Sequence, residues 1–205
     1  MAKLLIFLAM SCMFEGQVTA NFGTGADSNS STIRLDEKCR IEVPPSVKEQ
    51  PKPEWYEKFK QVFSDDDAKK AQKDATSWKS KDHDFDTCAA FKLLMGIGWK
   101  ESGGNSKAGP GADAIPSPGM FQIQQRNCDG VGVKGNLNDA MVSIECAAKI
   151  MKKNFESDGC VADSANQKGN GRCLTNWSVM ICNSNNKVGH REEIRQYQNG
   201  QSFCQ

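Results

Sequence analysis

Apolar residues recur at helical spacing along most of the chain, and their phase marks four helices. From Glu54 onward, Trp55, Phe59, Val62 and Phe63 fall on one face, which predicts an amphipathic helix with a buried stripe. Ser64 and the three aspartates after it supply a cap and an acidic first turn for a second helix. Ala68, Ala71, Ala75 and Trp78 carry that helix's apolar stripe. Asp86 or Thr87 caps a third helix, which runs through Cys88, Phe91, Leu94, Met95 and Ile97 to about Lys100. Apolar positions nearly surround it, the pattern of a central helix buried on all sides. Asn138 or Asp139 opens a fourth, with Met141, Ile144, Ala147, Ala148, Met151 and Phe155 at helical spacing. Two shorter helices are expected near 175–183 and 190–197. No run of alternating β-branched residues is long enough for a large sheet, and no segment repeats.

The first 53 residues follow a different logic. Lys3 precedes an apolar run from Leu4 to Met10, and Val18-Thr19-Ala20 offers small residues for cleavage. Residues 1–20 therefore have the build of a secretory signal, too short to span a bilayer comfortably. Residues 21–53 are polar at first and then rich in proline. Pro44, Pro45, Pro51 and Pro53 stay out of helix interiors, so this stretch reads as an extended arm ahead of one domain at 54–205. A rival processing route attaches lipid to Cys12, after Ser11, and anchors the chain by its acyl group.

Charge and cysteine usage narrow the class. A net charge of +1 gives no basic field for nucleic acid or for an anionic membrane once the signal is removed. The run Asp65-Asp66-Asp67-Ala68-Lys69-Lys70 reads as solvated helix surface. With Cys12 lost in the signal, Cys39, Cys88, Cys128, Cys146, Cys160, Cys173, Cys182 and Cys204 remain. An even set in an exported chain predicts four disulfides, with the pairing left open. Zinc is disfavoured, because there is no Cys-x-x-Cys pair and His83 and His190 stand far apart. Asn29-Ser30-Ser31 and Asn176-Trp177-Ser178 fit the glycosylation acceptor pattern of a eukaryotic secretory host.

The third helix ends on a carboxylate, Glu101, at the rim of the expected core. Desolvation and the negative end of a helix both disfavour its ionised form, so its pKa is expected to rise. A carboxyl still protonated near neutral pH can donate its proton to a leaving oxygen, which is what cleavage of a glycosidic bond requires. Gly103-Gly104 can end the helix. The loop beyond it, with Pro110, Pro116 and Pro118, can line a cleft.

Glu101-Ser102 followed by Gly119-Met120-Phe121-Gln122-Ile123 resembles the Glu-Ser … Gly-Leu-Met-Gln-Ile signature of lytic transglycosylases and goose-type lysozymes. The likeness covers about residues 85–200. Leu137 to Ile144, with Cys146-Ala147, looks like the family's Asn-Ile-x-x-Gly helix. Trp177 to Cys182-Asn183 is similar to its Ala-Tyr-Asn element, and Glu192 to Tyr197 to its closing Glu-Thr-x-x-Tyr. The resemblance implies a mainly α, lysozyme-like domain with little β structure, stapled by disulfides. It also implies that Glu101 is the catalytic acid, that Ser102 supports it and that Tyr197 reaches it. Gly119, Met120, Phe121 and Gln122 would line the sugar groove. Gln122 and Asn183 are amides that can bind sugar hydroxyls and acetamido groups, or else bond to backbone. Trp99 and Trp177 read as core residues rather than sugar platforms. Phe121 stands where the family has methionine, and Cys182 where it has tyrosine. The 17 residues between Glu101 and Gly119 are closer to the goose type.

An inverting hydrolase needs a second carboxylate to hold a water on the opposite sugar face. Asp113, six positions before Gly119, lies where goose-type enzymes often carry an aspartate; its alternative role is turn formation beside Gly and Pro. Without such a base the sugar's own hydroxyl attacks and leaves an anhydro product. The expectation is a secreted, monomeric muramidase acting on peptidoglycan strands without metal or cofactor, with hydrolysis favoured over transglycosylation. Two rivals come from other classes. A cysteine hydrolase would pair a free Cys88 or Cys182 with His190, against the even cysteine count. A non-catalytic glycan binder or inhibitor could use the same fold.

Overall fold

The structure is a computed structural model, and it describes residues 31–71, 84–110, 116–159 and 177. Within them the order is β1 (Ser31–Arg34), β2 (Arg40–Val43), α1 (Pro53–Lys60), α2 (Asp65–Lys69), α3 (Thr87–Ser102), α4 (Gln125–Asp129) and α5 (Ala140–Asp158). The described chain is mainly helical, with one two-stranded sheet. The Ala75–Trp78 stripe, the helices expected near 175–183 and 190–197, and residues 1–20 lie outside the described residues.

Helix α3 is the element around which the rest is arranged. Its first turn has orphan N–H groups, and two aspartates meet them. Asp86, at the N-cap, accepts from the Ala89 N–H at 2.8 Å, and Asp65 accepts from both the N–H and the hydroxyl of Thr87. Ala90, Phe91, Leu93, Leu94, Met95 and Ile97 are fully buried, as the all-round apolar pattern requires. The helix stops at Gly103 and Gly104, both left-handed, with φ of +66° and +71°. Their N–H groups turn back to the carbonyls of Trp99 and Gly98, at 2.9 and 3.3 Å. Glycine adopts that conformation without steric cost.

Helix α1 starts on Pro53, whose missing N–H costs nothing at that position, and buries Trp55, Tyr56 and Phe59. It closes at Lys60, so Val62 and Phe63 follow it in the turn rather than on the helix. A capping box between Ser64 and Asp67 begins α2. Asp139 caps α5 through the N–H groups of Met141 and Val142. Rings then join the helices: Phe59 lies 5.4 Å from Phe91 of α3, and Phe63 lies 5.6 Å from Phe155 of α5. Ion pairs Lys58–Glu145 at 2.7 Å and Lys152–Asp67 at 3.0 Å tie α1 and α2 to α5 from outside.

The stretch ahead of residue 54 packs on the helices, with Leu35, Cys39, Ile41 and Val43 in the core. From Ser31 it folds into an antiparallel hairpin with Ile33 opposite Ile41 and Ser31 opposite Val43. Asp36 closes the turn by accepting from the N–H groups of Lys38 and Cys39, at 2.8 and 2.7 Å. Alternation on β2 turns Ile41 and Val43 into the core and leaves Arg40 and Glu42 exposed. Cys39 is bonded to Cys88 at the start of α3, and Cys128 of α4 to Cys146 of α5. Cys160, Cys173, Cys182 and Cys204 lie outside the described residues. No helix among the described residues is long and apolar enough to cross a membrane.

Candidate functional site

Glu101 and Ser102 are the last two residues of α3, and both are half-buried. The Ser102 hydroxyl donates to the Gly98 carbonyl at 3.0 Å and accepts from the Asn105 N–H at 3.0 Å. It fastens the final turn of the helix to the departing loop. Burial lowers the pKa of Lys100, the preceding residue.

The turn containing Gly119–Gln122 lies directly against this end of α3. A β-carbon at Gly98 would stand 2.8 Å from Met120 Cγ and 2.9 Å from Phe121 Cε1. Glycine at 98 is what lets the two segments meet. Gly119 has φ +85°, and a β-carbon there would stand 2.1 Å from the Leu137 carbonyl oxygen. Its N–H donates to the Ala108 carbonyl at 2.9 Å, joining both ends of the proline loop. Gln122 is the one non-glycine residue with positive φ among the described residues, at +47°. Such a conformation persists only where the surroundings hold it. Here its own side chain contributes, since Nε2 donates to the carbonyls of Gly119 and Gly109 at 2.9 and 3.2 Å.

Of the residues expected to wall a groove, Met120 and Phe121 are fully buried. Their side chains pack against α3 at Gly98. The Gln122 amide nitrogen is committed to backbone, the second of the two roles foreseen for it. Trp99 and Trp177 are core residues, as expected; Trp177 Nε1 donates to the Phe121 carbonyl at 3.1 Å, beneath the same turn. Asp113, Asn183 and Tyr197 lie outside the described residues. Cys88 is in a disulfide with Cys39, so it supplies no thiolate and that version of a cysteine hydrolase is removed.

The structure adds a group that sequence reasoning missed. Residues 47–49 of the proline-rich stretch clasp the loop that leaves Glu101. The Lys48 N–H donates to the Gly103 carbonyl at 2.9 Å. Glu49 Oε1 accepts from both the N–H and the hydroxyl of Ser106, at 2.8 and 2.7 Å. Val47 Cγ1 occupies the space a β-carbon on Gly104 would need, 2.7 Å away. A signal for the close packing did exist. Gly96 and Gly98 sit inside a buried helix, where glycine costs about 1 kcal/mol relative to alanine, so a packing reason is expected.

The chemistry available is that of one carboxyl at the end of a buried helix, beside a turn whose backbone is fixed on several sides. No protein-family model matches the chain, and no curated protein or solved structure matches it significantly.

Proposed function

We propose that this chain is a secreted muramidase with a lysozyme-like fold, cleaving the β-1,4 bond between N-acetylmuramic acid and N-acetylglucosamine in peptidoglycan. The observation that carries the reading is the seating of the Gly119–Gln122 turn on Gly98, one helical turn before Glu101. Two segments that resemble the family signature, 17 residues apart in sequence, thereby meet within about one helical turn of Glu101 along α3. The clasp of residues 47–49 supports it further, because a general acid needs a fixed position.

In this mechanism Glu101 is protonated and gives its proton to the glycosidic oxygen as the bond to the sugar breaks. Ser102 holds the helix end that carries it. Water then completes hydrolysis, with Asp113 as the base that orients it; Asn183 and Tyr197 complete the groove, as the family resemblance implies. Attack by the sugar's own hydroxyl is the transglycosylase alternative. The signal-like first 20 residues and the disulfides support an exported protein.

Purified cell wall is incubated with wild type and with Glu101→Gln, and the released fragments are weighed by mass spectrometry. Reducing-end sugars from wild type alone are the expected result. Fragments lighter by one water assign the transglycosylase reaction, and equal release by both proteins removes Glu101 as the acid. No release from any wall leaves the glycan-binding alternative, which a pull-down on insoluble wall then measures.

A further inference from the structure

Glutamine at 122 runs against its own backbone. Its φ of +47° lies in the left-handed region, where glycine sits freely and a residue with a long side chain is uncommon. Three residues earlier the same turn does use glycine, at Gly119 with φ +85°. What glycine could not supply at 122 is the amide. Nε2 donates to the Gly119 carbonyl at 2.9 Å, within the turn, and to the Gly109 carbonyl at 3.2 Å, 13 residues back in the chain. Two N–H donors on one nitrogen thus meet two carbonyls, one at each foot of the proline loop.

These bonds complete a circuit through the end of α3. The Ser102 hydroxyl accepts from the Asn105 N–H, and the Asn105 carbonyl accepts from the Ala108 N–H at 3.1 Å. The Ala108 carbonyl then accepts from the Gly119 N–H at 2.9 Å, beside the bond from Gln122 to Gly109. Beyond Gly119, Met120 and Phe121 return to α3 at Gly98, whose own carbonyl accepts from the Ser102 hydroxyl. Glu101 lies on the length of helix between Gly98 and Ser102, where the circuit closes. Lys48 and Glu49 hold the same loop separately, at Gly103 and Ser106, and that hold does not depend on the amide.

We propose that Gln122 is a positioning residue for Glu101: its amide ties Gly109 to Gly119, holds the turn in its left-handed bend and keeps Met120 and Phe121 seated beside the helix end that carries the carboxyl. The donor is thereby assigned to the fold rather than to a sugar, and Gln122 acts on rate through Glu101, not on substrate affinity. The kinetic readout rests on the proposed muramidase reading; the exchange readout does not.

Two variants of the full-length chain separate the amide from the backbone. Gln122→Gly adopts a positive φ without strain and has no amide. Gln122→Glu keeps the side-chain length, but its carboxylate cannot donate until it is protonated. In amide hydrogen exchange, Gln122→Gly is expected to raise the rates at Gly119 and Glu101 about tenfold, while Leu94 in mid-α3 stays as in wild type. Unchanged rates at Gly119 and Glu101 overturn the proposal, whether or not the protein cleaves wall. With soluble peptidoglycan strands, and each variant fully folded, kcat at neutral pH is expected to fall about tenfold in both. KM should stay within about twofold of wild type. The activity of Gln122→Glu relative to wild type should recover as pH falls through the carboxylate range, because the protonated group donates again. A raised KM with kcat unchanged assigns the amide to the sugar and overturns the proposal, as does full activity in Gln122→Gly. Wild type that cleaves no wall removes the muramidase reading alone, and the exchange rates then decide whether the amide positions Glu101.

Discussion

Gly98 on α3 and Met120 in the facing turn approach so closely that a β-carbon on the first would stand 2.8 Å from Cγ of the second. Alanine at 98 would gain about 1 kcal/mol of helix propensity but force Met120 and the Phe121 ring outward, at about 1–3 kcal/mol. Gly98→Ala is expected to be less stable in urea titration. On the proposed muramidase function, wall-lytic activity should fall further than stability does, measured at a temperature where the variant is fully folded.

Glu49 is the residue of the clasp that can be tested cleanly. Its carboxylate meets the N–H and hydroxyl of Ser106, which is 5% exposed. Glu49→Ala leaves a buried N–H without its acceptor and should cost about 1–3 kcal/mol. Glu49→Gln keeps an acceptor oxygen and should cost less. Hydrogen exchange at Ser106 must rise in the alanine variant; unchanged protection would mean the clasp contributes nothing.

Asp67 sets a pH dependence. Burial pushes its carboxyl up, but Lys70, the Ser64 backbone, Lys152 and the Ser64 hydroxyl outweigh that, and the pKa falls from 3.8 to about 2. The folded pKa lies below the unfolded one, so its contribution is present above about pH 4 and is lost as pH falls towards 2. Asp67→Asn should be about 2 kcal/mol less stable than wild type at pH 7. The difference should close near pH 2, read from thermal unfolding across that range.

The Cys39–Cys88 bond closes a loop with a sequence separation of 49. Loop entropy puts its contribution at roughly 4 kcal/mol. The double variant Cys39→Ser/Cys88→Ser should lose about that much in denaturant unfolding, with free thiols excluded by titration.

The helix boundaries could be read because their signals are local. Ser64 with Asp67, Asp86, Asp139 and the Gly103-Gly104 pair each satisfy backbone groups within a few residues of themselves. The hairpin could not be read so easily. Its four inward residues, Ile33, Leu35, Ile41 and Val43, are split by the Asp36-Glu37-Lys38 turn, and Pro44-Pro45 just beyond suggested an extended arm. Helix α4 has no apolar period, being five residues anchored by Cys128. At the candidate site, Glu101 and the Gly119–Gln122 turn were visible as residue types at a spacing. What orients them was not, because the contacts of Gly98 with Met120 and of Glu49 with Ser106 join positions far apart in the chain. The inward burial of Met120 and Phe121 likewise depends on which side of the turn meets α3.

Cys39 is fixed beside the first turn of α3 and Lys48 just past its last, so the short length of chain between them runs beside the helix like a stay along a mast. Extended backbone covers at most about 30 Å in that many residues, against roughly 22 Å of helix, and the hydrogen-bonded turn at Pro44–Val47 takes up part of the difference. Axial slip or bending of α3 must therefore strain this second line. Cutting the sulfur bond at the foot would let the line go loose at the head, where Glu101 stands.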